Sequence, residues 1–298
     1  MHLTRRALLT ACAGTLLLPA VATASPRKQI AFVLDDGRGG RFSHRPHALL
    51  PLTSAVRVVH LAAYGRAVAE GLISPGQRVP VHEWERYSTG PHSASLRHLG
   101  TKSTNGVVAD DPHATVTLDD LAAVMTLFDD HAAADHLRAL LGEPYLKAVA
   151  ARLGWPDAPT PSFLAEWLQL TLGRPVDPAQ YLTDPRLQLE AIGRSPTAPT
   201  SRRPLAHGTA ADLHRLLRNL DPAAVRHLEG PQDSDVVVGE LVDSMAGAIT
   251  VAVRVRWADG RLGTGVALAQ EWSGDLPALV RSALLDPAAL RGFQVAVT

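Results

Sequence analysis

Cysteine is nearly absent from this chain of 298 residues, whose single cysteine is Cys12 in the amino-terminal segment. The rest of the chain therefore has no disulfide and relies on an apolar core, which a chain of this length can build. Aromatic residues are also few, at 5%, which argues against the stacking platforms that bind single-stranded nucleic acid. The formal net charge is zero, so we expect no nucleic-acid partner and no bulk attraction to anionic lipid.

Long apolar runs are missing beyond the amino terminus. There, MHLTRRALLTACAGTLLLPAVATAS combines a basic start, an apolar run and the small-x-small pattern Ala22-Thr23-Ala24. This pattern predicts a signal peptide over residues 1–24 that is cleaved after Ala24. Arg5-Arg6 fits a twin-arginine signal or a general secretory signal. We expect a periplasmic or secreted bacterial protein, with no membrane span in its mature part.

The mature chain predicts strands at both ends and helices between them. KQIAFVLDDGRGGRF has the pattern of strand, Gly-rich turn and strand, and residues 234–270 alternate as strands with a hairpin turn at 258–260. Apolar residues at helical spacing predict helices over about 54–70, 118–127, 132–141, 144–154, 161–172, 208–220 and 276–285. Thr117 is the expected N-cap of the second helix. Residues 82–113 and 174–206 are expected to be irregular.

Strands from both ends of a chain that meet in one sheet give an α+β fold of the three-layer α/β/α type. We expect a single domain over 25–298. Its antiparallel sheet comes from about 28–45 and 234–298 and is flanked by helices, and a helical subdomain covers about 52–230.

Three strings, in this order of elements, resemble the penicillin-recognising serine hydrolases, which include class A β-lactamases and D,D-peptidases. PLTSAVRVVHLAAYGRAVAEG (51–71) resembles the helix with the family's nucleophile, and DDHAAADHLRALLG (129–142) resembles its Ser-Asp-Asn loop and the following helix. DSMAGAITVAVRVRWADG (243–260) resembles the strand that normally opens with Lys-Thr-Gly. The resemblance covers nearly all of the mature chain. It implies a β-lactamase/transpeptidase-like fold and attack by Ser54 on an acyl carbonyl, with no metal and no organic cofactor.

The proton-handling residues depart from the family's pattern. The motif Ser-x-x-Lys is here Ser54-Ala55-Val56-Arg57, and an arginine cannot take the serine's proton because its guanidinium stays protonated at any working pH. In the second motif, Asp129 replaces the serine and His131 replaces the asparagine, whereas the middle aspartate is kept and is expected to be mainly structural. Lysine-to-arginine and serine-to-aspartate changes together predict an ion pair between residues 57 and 129.

The third motif is the least similar. Leu241-Val242-Asp243 occupies the place of Lys-Thr-Gly, so the cation that receives a substrate carboxylate is missing and a neutral substrate is expected. The resemblance implies that Asp243, Ser244 and Ala246 border the substrate. Backbone N–H groups of Ser54 and of the strand near 244–246 would stabilise the oxyanion. Thr264-Gly265 lies on the next strand and is interpreted as a decoy.

Three functions stay open at this point. The chain is an ordinary β-lactamase or D,D-peptidase, a rewired serine hydrolase, or a non-catalytic member that binds a cell-envelope ligand or protein. In the rewired hydrolase, His131 is the general base for Ser54 and Asp129 or Asp130 orients it. The expected partner is a small acyl substrate or a peptidoglycan-like ligand, and the protein is expected to be a monomer. No histidine pair has zinc-binding spacing, so no metal site is predicted.

Overall fold

The computed structural model describes residues 29–88, 115–194, 206–229, 236–245 and 247–297. The expected signal peptide, residues 1–24, lies outside the described residues. So do Ala246 and the side chain of Ser54, whereas the backbone of Ser54 is described.

Five antiparallel strands form the main sheet, in the order β2-β1-β9-β8-β7. Their bounds are β1 Gln29–Asp35, β2 Arg41–His44, β7 Val236–Met245, β8 Ala248–Trp257 and β9 Leu262–Gln270. Two small sheets of two strands each pair β3 Leu50–Pro51 with β6 His207–Gly208, and β4 Arg78–Pro80 with β5 Thr115–Thr117. The strands of the main sheet come from both ends of the chain, as the alternating sequence pattern predicts.

Twelve helices are present in the described part of the chain. They are α1 Val58–Ala69, α2 Val81–Glu85, α3 Leu118–Leu127, α4 His131–Leu141, α5 Glu143–Arg152, α6 Phe163–Leu172, α7 Pro178–Thr183, α8 Pro185–Arg194, α9 Ala210–Arg218, α10 Pro222–Leu228, α11 Leu276–Leu285 and α12 Pro287–Val297. One 3-10 helix, Ser54–Arg57, leads directly into α1. Thr117 caps α3 as predicted, in a capping box with Asp120.

The expectation of irregular structure is wrong at two places. Residues 81–85 form α2, and residues 178–194 form α7 and α8 within the proline-rich stretch. Proline is the first residue of α7, α8, α10 and α12, where its missing N–H would have no partner inside the helix anyway. The prolines therefore open helices, although the sequence pattern was interpreted as breaking them.

The sheet is covered on both faces, which confirms the three-layer α+β architecture. Helix α11 packs on one face over a core that includes Phe32, Val253 and Val280. Helices α9 and α1 lie on the other side, over a larger core that includes Leu241, Ala252 and Val266. Because side chains alternate along each strand, every second residue of a strand points to the face that carries the 3-10 helix. No helix within the described ranges is long and apolar enough to cross a bilayer.

Candidate active site

The 3-10 helix that begins with Ser54 is attached to the sheet through its preceding residue. The backbone N–H of Thr53 donates to Thr250 Oγ1 at 3.4 Å, and Thr53 Oγ1 donates to the backbone carbonyl of Asp243 at 3.4 Å. Thr53 and Thr250 are both buried. These contacts place the backbone of Ser54 at the end of β7 and β8, next to the predicted substrate-binding strand.

The two strand residues predicted to border a substrate lie on different faces of β7. Asp243 pairs with Thr250, whose hydroxyl faces the 3-10 helix, so the Asp243 side chain is on the site's face. Ser244 is the next residue and its exposed side chain points to the opposite face. Only the backbone of Ser244 can therefore face the site, and a backbone role for Ser244 and Ala246 stays a prediction.

The predicted ion pair between Arg57 and Asp129 is present. Arg57 is only 3% exposed, and its Nη1 donates to Asp129 Oδ1. Asp129 has a φ of 58°, a left-handed conformation that aspartate tolerates better than most residues. This backbone turn brings the half-exposed carboxylate onto the buried guanidinium at the start of α1.

Asp130, the aspartate retained from the family's second motif, has a structural role. It is fully buried and caps α4, because its Oδ1 accepts the backbone N–H of Ala133 at 3.0 Å. Burial raises the pKa of the Asp130 carboxyl to about 6, although the N–H groups that it accepts act in the other direction. Its carboxylate holds the turn that carries Asp129 and His131.

His131 lies between Asp129 and an aromatic ring. Its Nε2 is 3.4 Å from Asp129 Oδ1, and its ring stacks on Phe163 with centroids 4.2 Å apart and planes 14° apart. Asp129 therefore lies between two basic side chains, Arg57 and His131. One face of the imidazole is covered by Phe163, and its Nε2 is buried without a hydrogen bond to any described residue.

The position of Phe163 depends on a second buried aspartate. Asp135 Oδ1 and Oδ2 accept the N–H groups of Phe163 at 3.0 Å and Leu164 at 2.6 Å, and Ser162 Oγ donates to Oδ2 at 3.3 Å. Burial raises the pKa of Asp135 to about 6. Sequence analysis missed Phe163 and Asp135, because nothing in the pattern of residues 28 apart shows that they meet.

His60, two turns along the helix from Ser54, is a further buried histidine behind the site. It is 0% exposed, and its Nε2 is 3.2 Å from the carbonyl of Pro161. Because carbonyls only accept, Nε2 carries the proton and donates it. Burial lowers the pKa of His60 to about 3, so the imidazole stays neutral. The ring also contacts Phe163, with centroids 5.8 Å apart.

The site and its surroundings thus contain a guanidinium, two carboxylates and two imidazoles on the 3-10 helix, α1, α4 and the turn before α4, with a serine at the start of the 3-10 helix. Comparison with known families identifies the family of the chain. A sequence model described as the β-lactamase enzyme family matches residues 18–234, which is more than half of the chain. The chain belongs to the β-lactamase enzyme family. No curated protein matches it.

Solved β-lactamases share the fold at low identity. A β-lactamase from Sphaerobacter thermophilus is 16% identical, with a TM-score of 0.57 over 86% of this chain and 88% of that one. An ancestral class A β-lactamase (GNCA) is 18% identical, with a TM-score of 0.51 over 90% and 94%. A β-lactamase from Desulfarculus baarsii is 17% identical, with a TM-score of 0.51 over 83% and 84%. These likenesses show the β-lactamase fold and leave the chemistry open.

Lysine, the family's usual proton acceptor, is scarce in this β-lactamase-family chain. The sequence has three lysines, Lys28, Lys102 and Lys147. Lys147 is exposed on α5 and pairs with Glu143, whereas the other two lie outside the described residues. Within the described part of the chain, no group of three or more His, Cys, Asp or Glu side chains could hold a metal ion.

The decoy motif on β9 is far from the site along the sheet. Thr264 pairs with Asp35 and Arg254, four positions along β8 from Thr250. It is fully buried and its Oγ1 is 2.7 Å from His214 Nε2. Thr264-Gly265 is therefore not a displaced copy of the Lys-Thr-Gly motif.

Proposed function

We propose that this member of the β-lactamase enzyme family is an exported protein of the cell envelope that binds an acyl-amide ligand without acylating Ser54. The ion pair between Arg57 and Asp129 is the observation that supports this proposal. It occupies the positions at which the family resemblance places the lysine and the serine that move protons.

A guanidinium cannot accept the serine's proton. The carboxylate of Asp129 already accepts a hydrogen bond from Arg57. The pair therefore combines a guanidinium that does not release its proton with a carboxylate that already accepts a hydrogen bond. Losing one member of a catalytic unit removes most of the unit's rate enhancement, and here two members have changed together.

The ligand is expected to be neutral where class A substrates carry an anion. Leu241, in the place of the family's lysine, is 2% exposed and belongs to the core. Asp243, two residues on, is on the site's face and adds a negative charge. A carboxylate on the ligand would be repelled there rather than bound, so we favour a neutral acyl amide such as an amidated peptidoglycan fragment.

A rewired serine hydrolase is the second candidate, and the 3.4 Å approach of His131 to Asp129 favours it. An imidazole oriented by a carboxylate is the arrangement that makes a histidine a general base for serine. In this candidate, His131 Nδ1 takes the proton of Ser54 as Ser54 Oγ bonds to the acyl carbon.

Covalent labelling separates these functions. We would incubate the purified chain with a fluorophosphonate and with a fluorescent penicillin between pH 6 and pH 9, beside Ser54→Ala, and measure intact mass. The proposal expects no adduct that depends on Ser54. An adduct that Ser54→Ala abolishes would overturn it, and loss of that adduct in His131→Gln would establish the rewired hydrolase. Saturable binding of an amidated muropeptide to the protein without any probe attached would support the binding function.

A further inference from the structure

A second cleft lies at the other end of the sheet from Ser54. Two cavities of about 640 Å³ and about 500 Å³ meet at Asp35, Arg41 and Arg218, which line both. These three residues belong to β1, β2 and α9. Asp35 also pairs in register with Thr264 of β9, so the cleft is two strands across and four positions along the sheet from Thr250.

One buried carboxylate holds two guanidiniums at this place. Asp35 Oδ2 accepts from Arg41 Nε at 3.0 Å and from Arg218 Nη1 at 2.7 Å. The Asp35 side chain is 8% exposed, whereas those of Arg41 and Arg218 are 72% and 39% exposed. The negative charge is therefore at the back of the cleft, and both guanidiniums lie in front of it. Each uses one nitrogen on Asp35 Oδ2 and has further N–H groups that can bind a ligand.

The lining of the cleft carries more positive than negative charge. Asp212 pairs with Arg215, and Asp259 pairs with Arg261. Asp36 accepts the backbone N–H groups of the Gly-rich turn, close to Arg38. The two cavities are lined by four guanidiniums and one carboxylate: Arg41, Arg215, Arg218 and Arg261, against Asp35.

His214, on the wall of the larger cavity, shows that the wall is partly desolvated. Burial lowers the pKa of His214; Asp35 opposes this shift, and Arg218 and Arg41 add to it. The histidine is therefore neutral at neutral pH and leaves the charge of the cleft to the arginines. Val33 lines the same cavity and provides an apolar surface beside the two cations, whereas the Phe42 side chain packs on Phe32 at the opposite face of the sheet.

We propose that this cleft between β2 and α9 binds a small organic acid, whose carboxylate bridges Arg41 and Arg218 and whose apolar body lies on Val33. A ligand carboxylate brings a negative charge to a lining rich in guanidiniums, and it relieves the repulsion between two guanidiniums that share one carboxylate. A planar carboxylate also matches the paired N–H donors of a guanidinium. The site is separate from Ser54 and takes an anion, whereas the Ser54 cleft is expected to take a neutral ligand.

Calorimetric titration of the purified chain with benzoate at low ionic strength tests this proposal. Benzyl alcohol serves as the neutral analogue and inorganic phosphate as an anion without an apolar body. We expect saturable benzoate binding that weakens with salt and a smaller or absent signal for the other two probes. Arg41→Gln should weaken benzoate binding about tenfold or more, because it removes charged hydrogen bonds at an exposed position that does not support the fold.

Two matched variants complete the test. Arg194→Gln removes an exposed guanidinium paired with Glu190 on α8, and it should leave benzoate affinity unchanged. Ser54→Ala should also leave it unchanged, which makes this result independent of the function proposed for the Ser54 cleft. The proposal is overturned by the absence of saturable benzoate binding, by equal affinity in wild type and Arg41→Gln, or by phosphate binding more tightly than benzoate.

Discussion

The neutral histidine behind the site makes stability depend on pH in a measurable way. The pKa of His60 is lowered from 6.5 to about 3 by burial, so the folded state disfavours its protonated form. The stabilising contribution of neutral His60 is complete above pH 6.5 and is lost as pH falls from 6.5 towards 3. At pH 5 the unfolded side chain is almost fully protonated and the folded one is not. This difference costs about 2 kcal/mol of unfolding free energy relative to pH 7.5.

Two carboxyls work in the opposite direction over part of this range. The pKa values of Asp130 and Asp135 are raised from 3.8 to about 6, so the folded state binds their protons more readily. Each therefore stabilises the fold as pH falls from 6 towards 3.8. The wild-type stability curve will hide the effect of His60, which must be isolated by comparing a variant with the wild type at each pH.

His60→Gln is the suitable variant because its amide can still donate to the Pro161 carbonyl and cannot be protonated. Urea unfolding at pH 7.5 and pH 5 should show the variant gaining about 2 kcal/mol relative to wild type on acidification. His47→Gln, at an exposed histidine, is the matched control and should track the wild type. Parallel pH curves for wild type and His60→Gln would refute the reasoning that His60 is buried and neutral.

Two further predictions concern packing and the ion pair. Gly65→Ala should destabilise the fold by about 1–3 kcal/mol, because its Cβ would lie 2.7 Å from Ala224 Cβ and 2.9 Å from Ala224 N where α1 meets α10. The helical Gly193 has nothing within 4 Å of such a Cβ, and Gly193→Ala should stabilise by about 0.5–1 kcal/mol; equal thermal unfolding shifts for the two would contradict this. Asp129→Asn should cost about 2 kcal/mol by urea titration, because Arg57 is left buried without its counter-charge, and no loss would show that the pair is not stabilising.

Much of the fold is predictable from the sequence because local signals specify it. The Gly-rich turn after β1, the alternating strands at the carboxyl end and the Thr117 cap are each encoded within a few residues. Helices α7, α8, α10 and α12 were missed or expected to be irregular, since proline disfavours a helix interior but is accepted in the first turn. A pattern that marks every proline as a break cannot distinguish these two situations.

The site is only partly predictable for a different reason. The resemblance brought Arg57, Asp129 and His131 together, and the ion pair follows from complementary changes at two positions. Phe163 and Asp135 define the orientation of His131, but Phe163 lies outside the strings that resemble the family, and Asp135 is not one of the motif residues. Their contacts depend on how α4 and α6 pack, which is a tertiary property. The catalytic roles of Ser54, Arg57, Asp129 and His131 stay predictions. So do the substrate-binding roles of Asp243, Ser244 and Ala246.

The time course of Ser54 acylation tests the central claim most directly. Fluorescent penicillin would be added to wild type and to Arg57→Lys/Asp129→Ser, which restores the family's lysine and serine, with Ser54→Ala as the blank for each. The account predicts no Ser54-dependent labelling of wild type and slow labelling of the double variant. Labelling of wild type that is as fast as that of the double variant would contradict it, because proton transfer would then proceed with the ion pair in place.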